Sequence, residues 1–228
     1  MHEITGGKWY SNADVTEVLR YSGILGADKC QESIISDAAH AVEQVGETAL
    51  PKSIYRECNL IIAGNICIID GVEFKSQSLA GHLDGCDSVL LFAATLGSGV
   101  DMLINRYSAF KMSYAVMLQG AAAALTELYC DNECAELERR YENERRYLRP
   151  RFSPGYGDFP LEYQHTLTNL LNAYKYTGIA VSNGGQMTPM KSVSAVIGIS
   201  LTRSSASGNC ASGKCSKCPN SGCLFRRA

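Results

Sequence analysis

The feature that most constrains this chain is a change of hydrophobic period at Pro51. Upstream, Ile34, Ile35, Ala38, Val42, Val45 and Ala49 recur at helical spacing over residues 28–49, the pattern of a helix with one buried face. Asp28, with Gln31 three residues on, resembles a capping box. Pro51 ends the helix, because it has no amide to donate. Downstream, residues 54–63 and 66–69 are rich in β-branched side chains. Asp70-Gly71 ahead of Val72-Glu73-Phe74 is a strong hairpin signal, since a two-residue hairpin loop needs residues that tolerate positive φ. A short helix is expected over 12–21 and another over 76–83, stopped by Gly85. Residues 89–94 read as a buried strand and 112–147 as mostly helix. Pro160 is expected to open a further helix, with Leu161, Leu167, Leu170 and Leu171 as its apolar stripe and His165 in a structural place. Residues 192–200 read as a final core strand. The repeated βα alternation of a doubly wound fold is absent. The expected class is therefore α+β: a mostly antiparallel twisted sheet flanked by helices, with an N-terminal helical segment over about residues 1–50 and a Cys-rich C-terminal tail.

Composition narrows the function classes. An apolar fraction of 46% over 228 residues supports a packed core and argues against disorder. A net charge of −2 gives no general attraction to nucleic acid. The apolar runs near 89–96 and 115–125 fall short of the ~20 residues that span a bilayer, and residues 1–10 carry no apolar signal core. A cytoplasmic chain that binds neither membrane nor nucleic acid is expected. With only four histidines and no Ser/His/Asp or His-Glu-x-x-His pattern, hydrolysis by general acid–base catalysis has no support.

Arg151-Phe152-Ser153-Pro154-Gly155-Tyr156-Gly157 interrupts the helical pattern. Two glycines and a proline exclude a helix or strand interior. Gly155 lets backbone approach a ligand, Arg151 offers a fork of donors suited to a carboxylate, and Tyr156 offers a flat ring with a polar tip. The stretch reads either as a helix–helix connection or as a pocket for a small zwitterion with an aromatic part. Glu127 follows a run of small residues where the helix is expected still to face the interior, so its carboxylate needs a partner or a ligand; a partly exposed helix acid is the other reading. The glycines of Thr95-Leu96-Gly97-Ser98-Gly99 stand between strand and helix, where anions often bind, but without dinucleotide or P-loop spacing. The six arginines between Arg139 and Arg151 read as a solvated face or as a dock for an acidic electron donor such as a flavodoxin.

Three stretches together resemble one family. Arg151-x-x-x-Gly155-Tyr156, followed by Pro160, is similar to the signature of the activation domain of cobalamin-dependent methionine synthase. Met187-Thr188-Pro189-Met190-Lys191-Ser192-Val193-Ser194 resembles that family's Met-x-Pro-x-x-Ser-Val-Ser run. Leu125-Thr126-Glu127-Leu128-Tyr129 resembles its helical Leu-x-Glu run. Val18-Leu19-Arg20-Tyr21-Ser22-Gly23, and Cys86-Asp87-Ser88-Val89 leading to Thr95-Leu96-Gly97, look like the short stand-alone bacterial relatives. The resemblance covers residues 1–202 as one activation-like domain. It implies a reactivation factor that binds S-adenosylmethionine and supports reductive methylation of cob(II)alamin to methylcobalamin, with the cobalamin held by a partner: methionine synthase or another corrinoid protein. It implies that Arg151 pairs with the ligand's carboxylate, that Glu127 meets its ammonium or polar edge, that Tyr156 flanks it, and that Gly155 and Ser153 offer backbone. No residue is expected to act as nucleophile or general base.

The tail, residues 203–228, departs from that family, whose chain continues into a segment supplying another ligand tyrosine. Here Ser and Gly dominate, and Cys210, Cys215, Cys218 and Cys223 follow C-x4-C-x2-C-x4-C spacing. Four thiolates so close could hold zinc or an iron–sulfur cluster; a thiol-rich tail without metal is the alternative. An iron–sulfur redox adaptor and a non-enzymatic docking module for corrinoid proteins are thus the competing functions. The other six cysteines lie in apolar or helical stretches and are expected as reduced thiols.

Overall fold

A computed structural model describes residues 8–24 and 31–202. Its elements in chain order are α1 (Val15–Tyr21), α2 (Glu32–Thr48), β1 (Lys52–Ala63), β2 (Ile66–Ile69), β3 (Val72–Lys75), α3 (Gln77–His82), β4 (Ser88–Thr95), α4 (Ser98–Ser108), α5 (Met112–Asn143), β5 (Tyr147–Leu148), α6 (Tyr163–Leu170), α7 (Ala173–Thr177), β6 (Ala180–Val181), β7 (Met187–Thr188) and β8 (Ser192–Ser200). The fold is α+β, with a six-stranded, mostly antiparallel sheet in the order β3-β2-β1-β4-β8-β5, flanked by helices. β6 and β7 pair separately. By compactness the chain divides into two units: Met1–Tyr55, Phe92–Glu136 and Gln164–Ser194 form the first, and Arg56–Leu91, Leu137–Tyr163 and Ala195–Ala228 the second.

In the first unit, Asp14 caps α1 by accepting from the Thr16 amide at 2.8 Å, the expected use of an aspartate ahead of a helix. α1 packs on α2, and α2 on α4. The buried side of α2 is Ala38, Ala41, Val42 and Val45, matching the helical period. Gly46 on α2 leaves room for the Tyr10 ring, whose atoms lie where a Cβ would stand. Gln31, at the N-cap position, makes no side-chain cap bond; the expected cap residue, Asp28, lies outside the described residues. Gly97, at φ +86°, and Gly99 face the end of α2; Cβ atoms there would come within 3.3 Å of the Leu50 carbonyl and 3.2 Å of the Thr48 carbonyl. This glycine pair therefore lets backbone pack closely in its own unit.

In the second unit, the Asp70-Gly71 loop joins β2 to β3 with φ of +48° and +82°, as a primed hairpin turn requires. It sets Ile69 opposite Val72 and Cys67 opposite Phe74. Cys67, Ile69 and Phe74 are fully buried, the alternation of a sheet with one covered face.

Two expectations need correction. The long helix ends at Asn143, and Tyr147 and Leu148 pair instead with Ser200 and Ile199 of β8. Arg145 adopts left-handed φ of +58°, and the Arg146 amide reaches back to the Tyr141 carbonyl at 2.9 Å. This is a Schellman stop with arginine where glycine is usual. Pro160 likewise does not open a helix. It starts a turn whose carbonyl accepts from Tyr163 at 3.3 Å, and α6 begins at Tyr163. The buried side chains of α6 are Gln164, Leu167 and Thr168, while Leu161 is exposed.

Candidate functional site

The site is built from β5 onward, within the second unit. After pairing with β8, the chain stays beside that strand: the Arg149 amide donates to the Gly198 carbonyl at 2.7 Å, and Phe152 and Val196 exchange two bonds of 2.9 Å. Arg151 lies inside this anchored run and is half-buried. The chain then leaves the strand. Tyr156 donates to the Ser153 carbonyl at 3.1 Å, with Pro154 and Gly155 between them and Gly155 at φ +94°. Proline second and a positive-φ glycine third is the signature of a type II turn. The freedom Gly155 supplies is one of dihedral angle, since a Cβ there would only touch Leu161 at 3.8 Å.

A second turn locks the first. The Gly155 amide donates to the Phe159 carbonyl at 2.7 Å, and the Phe159 amide to the Tyr156 carbonyl at 2.9 Å. Phe159 is buried and packs on Phe152, Phe74 and Tyr163, with ring centroids 5.5–6.2 Å apart. Tyr156 meets Phe152 edge-on at 5.7 Å yet remains 51% exposed. The loop thus presents an arginine and a tyrosine from a backbone fixed by three hydrogen bonds of its own, two more to Val196 of β8, and an aromatic cluster.

Four of the five predicted ligand residues, Arg151, Ser153, Gly155 and Tyr156, come together on this loop. Glu127 belongs to the first unit. The expectation that it faces the interior is corrected: Glu127 is exposed. The buried stripe of α5 runs through Leu118, Ala121, Ala122, Leu125, Tyr129 and Cys130. Glu127 is two residues from both Leu125 and Tyr129, which puts it on another side of a helix of 3.6 residues per turn.

The Met187–Ser194 run leads from β7 into β8. The Met190 amide donates to Asp101 Oδ2 at 2.8 Å, and the Lys191 carbonyl accepts from Leu96 at 2.9 Å. Burial pushes the Lys191 amine below its ordinary value, against the pull of Asp101. Two clefts of the first unit, of about 320 and 430 Å3, contain none of the predicted residues. His165 lines the smaller one and is exposed, its Nδ1 2.9 Å from the Asn169 amide nitrogen.

Cys210, Cys215, Cys218 and Cys223 lie outside the described residues. Among the described residues no group of three or more His, Cys, Asp or Glu is arranged to hold a metal, and Cys58, Cys67, Cys86, Cys130 and Cys134 form no disulfide. Sequence reasoning missed Asp158 and His82, which tie the two ends of the loop to α3. Only the glycine before Asp158 hinted at close packing there.

No family model and no curated protein matches the chain. Among solved structures, the fold is similar to a crystal structure of the MetH reactivation domain bound to AdoHcy. The TM-score is 0.56 at 17% sequence identity, over 84% of this chain and 78% of that one. At that identity the likeness establishes the fold.

Proposed function

We propose that this chain is a reactivation factor for a cobalamin-dependent methyltransferase, methionine synthase above all, and that it binds S-adenosylmethionine at the Arg151–Tyr156 loop, with residues 1–202 acting as one activation-like domain. One observation carries the reading. A fold like that of a reactivation domain bound to AdoHcy holds its Arg-x-x-x-Gly-Tyr stretch as an anchored type II turn. The residues fit the ligand's chemistry. Arg151 supplies paired donors for a carboxylate. Gly155, exposed and at positive φ, leaves backbone accessible, and the half-exposed Tyr156 ring offers a face to an apolar or cationic group. Glu127 is the candidate acceptor for the ligand's ammonium. The partner's corrinoid supplies the nucleophile for the methyl group. This chain contributes proximity and orientation, and it needs no acid or base of its own. Where the sequence is richest in arginine, at Arg139–Arg151, a flavodoxin-like donor could dock. In the tail, the C-x4-C-x2-C-x4-C spacing supports a zinc or iron–sulfur knuckle, to be tested by metal analysis after anaerobic purification.

The test is calorimetry with S-adenosylmethionine on wild type, Arg151→Ala and Glu127→Gln. A charge-assisted bond is worth about 1.5–3 kcal/mol, so Arg151→Ala is expected to bind about ten- to a hundredfold more weakly. A wild type that binds no ligand, alone or with a corrinoid partner, refutes the methyl-donor role.

A further inference from the structure

We propose that α3 is a clip that holds the ligand loop from both ends, with Asp158 and His82 as positioning residues for adenosylmethionine binding; this rests on the function proposed above.

Every contact lies within the second unit. At the N-terminus of α3 the Asp158 carboxylate accepts from the Ser76 hydroxyl at 2.6 Å and from the Gln77 and Ser78 amides at 2.9 Å each. The first amides of a helix have no partner inside it, so a carboxylate carried on another segment completes them. The Ser76 hydroxyl in turn accepts from Leu79 at 3.0 Å. The approach is close enough to require glycine next door. A Cβ on Gly157, itself at φ +55°, would stand 2.5 Å from Ser78 Oγ and 2.8 Å from its Cβ. These donors, the Ser76 hydroxyl foremost, hold the Asp158 carboxyl well below the usual carboxylate range, so it is ionised at neutral pH.

At the other end of α3, His82 Nε2 lies 2.8 Å from the Pro150 carbonyl oxygen. A carbonyl has no proton, so the ring must donate. The same ring lies over Phe152 at 4.9 Å. The clip itself is anchored by Leu79 and Leu83, both fully buried, and by the Ser76 amide on the Asn65 carbonyl at 2.9 Å.

Arg151, Ser153, Gly155 and Tyr156 all fall between the gripped positions, Pro150 and Asp158. Asp158 is itself exposed and supports no core, so its three bonds act on the loop and α3 alone. A loop already held in its binding geometry loses less entropy on meeting a ligand, which is how two residues that need not touch the ligand would set its affinity.

The experiment pairs adenosylmethionine calorimetry with hydrogen exchange of the ligand-free full chain, for wild type, Asp158→Ala, Asp158→Asn and His82→Ala. Asp158→Ala is expected to bind about tenfold more weakly, and Asp158→Asn, which keeps one acceptor oxygen, to fall between it and wild type. Exchange should quicken at the Gly155 and Phe159 amides while β4 and α5 keep their protection. His82→Ala should quicken exchange at Phe152. Wild type that binds while Asp158→Ala binds as tightly overturns the clip alone. So does exchange that rises equally in β4 and α5, because that reports loss of fold. Wild type that binds nothing overturns the proposed function, and with it the ligand role of the clip.

Discussion

Two glycine-to-alanine substitutions should move stability in opposite directions. Gly120 lies buried in α5. A Cβ there would stand 2.6 Å from the Val18 carbonyl oxygen and 3.1 Å from the Ser22 amide nitrogen, and would overlap the Ser22 hydroxyl. The hydroxyl could rotate away, giving up its 2.8 Å bond to Val18. The other two atoms are backbone of the α1 terminus, so α1 itself must shift. Alanine in a helix interior gains about 1 kcal/mol over glycine. Overpacking costs about 1–3 kcal/mol, and the lost hydroxyl bond about 0.5–1.5 kcal/mol. The costs win, and Gly120→Ala should destabilise by roughly 0.5–3.5 kcal/mol. Gly81 in α3 is the control: it is exposed and no atom lies within 4 Å of its Cβ position. Only the propensity gain operates there, and Gly81→Ala should stabilise by about 0.5–1 kcal/mol. Urea unfolding followed by circular dichroism reads both as midpoint shifts at unchanged slope. A Gly120→Ala midpoint at or above wild type would refute the claim that α1 and α5 meet at backbone contact.

Three further outcomes follow from the packing and the charges. Phe159→Ala, which empties the aromatic cluster under the loop, should cost about 3–5 kcal/mol in the same unfolding assay; a loss under 1 kcal/mol would mean the cluster collapses onto the space. Glu57 is held below its ordinary pKa by the Arg146 guanidinium first and the Tyr141 hydroxyl next, so its contribution is present above the ordinary carboxylate value and lost as pH falls through the depressed one. The gap between wild type and Glu57→Gln, at most about 1 kcal/mol for so exposed a pair, should therefore be open at about pH 7 and closed by about pH 2, and a gap that persists in acid would assign it to packing. Burial pushes the Cys67 thiol up to about 11, so the folded protein should leave Cys67 unalkylated at about pH 8 while denatured protein reacts, as peptide mass spectrometry would read.

What the sequence made legible was the structure that local chemistry decides. Asp70-Gly71 predicts its hairpin because few other pairs accept two positive φ angles in a row. Residues 192–200 predict a strand from composition and alternation, and they form one at those bounds. The misses are places where a residue does a task usual for another. Arg145 ends α5 in the left-handed conformation that glycine favours, so nothing in Glu142–Arg146 announced the stop or the short strand after it. Pro160 has the chemistry of a helix start but serves as a turn residue ahead of one. The small neighbours of Glu127 point to the interior, but two residues along a helix suffice to change sides.

The same division runs through the site. The type II turn could be read from Pro154-Gly155, because its geometry is set by those two residues. That the turn is also rigid could not be read, because rigidity comes from α3, about 80 residues earlier for Asp158 and about 70 for His82, and pairings over such distances leave no local pattern. This separation bears on how the loop could vary. The side chains that would meet a ligand, Arg151 and Tyr156, extend from the loop, whereas the groups that hold its backbone sit on a different element with its own core anchors, Leu79 and Leu83. A substitution at Tyr156 should therefore change what the loop recognises and leave its conformation intact. One at Ser76 or Asp158 should loosen the conformation and leave the recognising side chains in place. Comparing Tyr156→Ala with Ser76→Ala tests this directly: the first should lose ligand affinity with wild-type exchange at Gly155, and the second should lose affinity only together with that protection. Equal exchange profiles in the two variants would mean that Tyr156 itself holds the turn, and the division between recognition and support would fail.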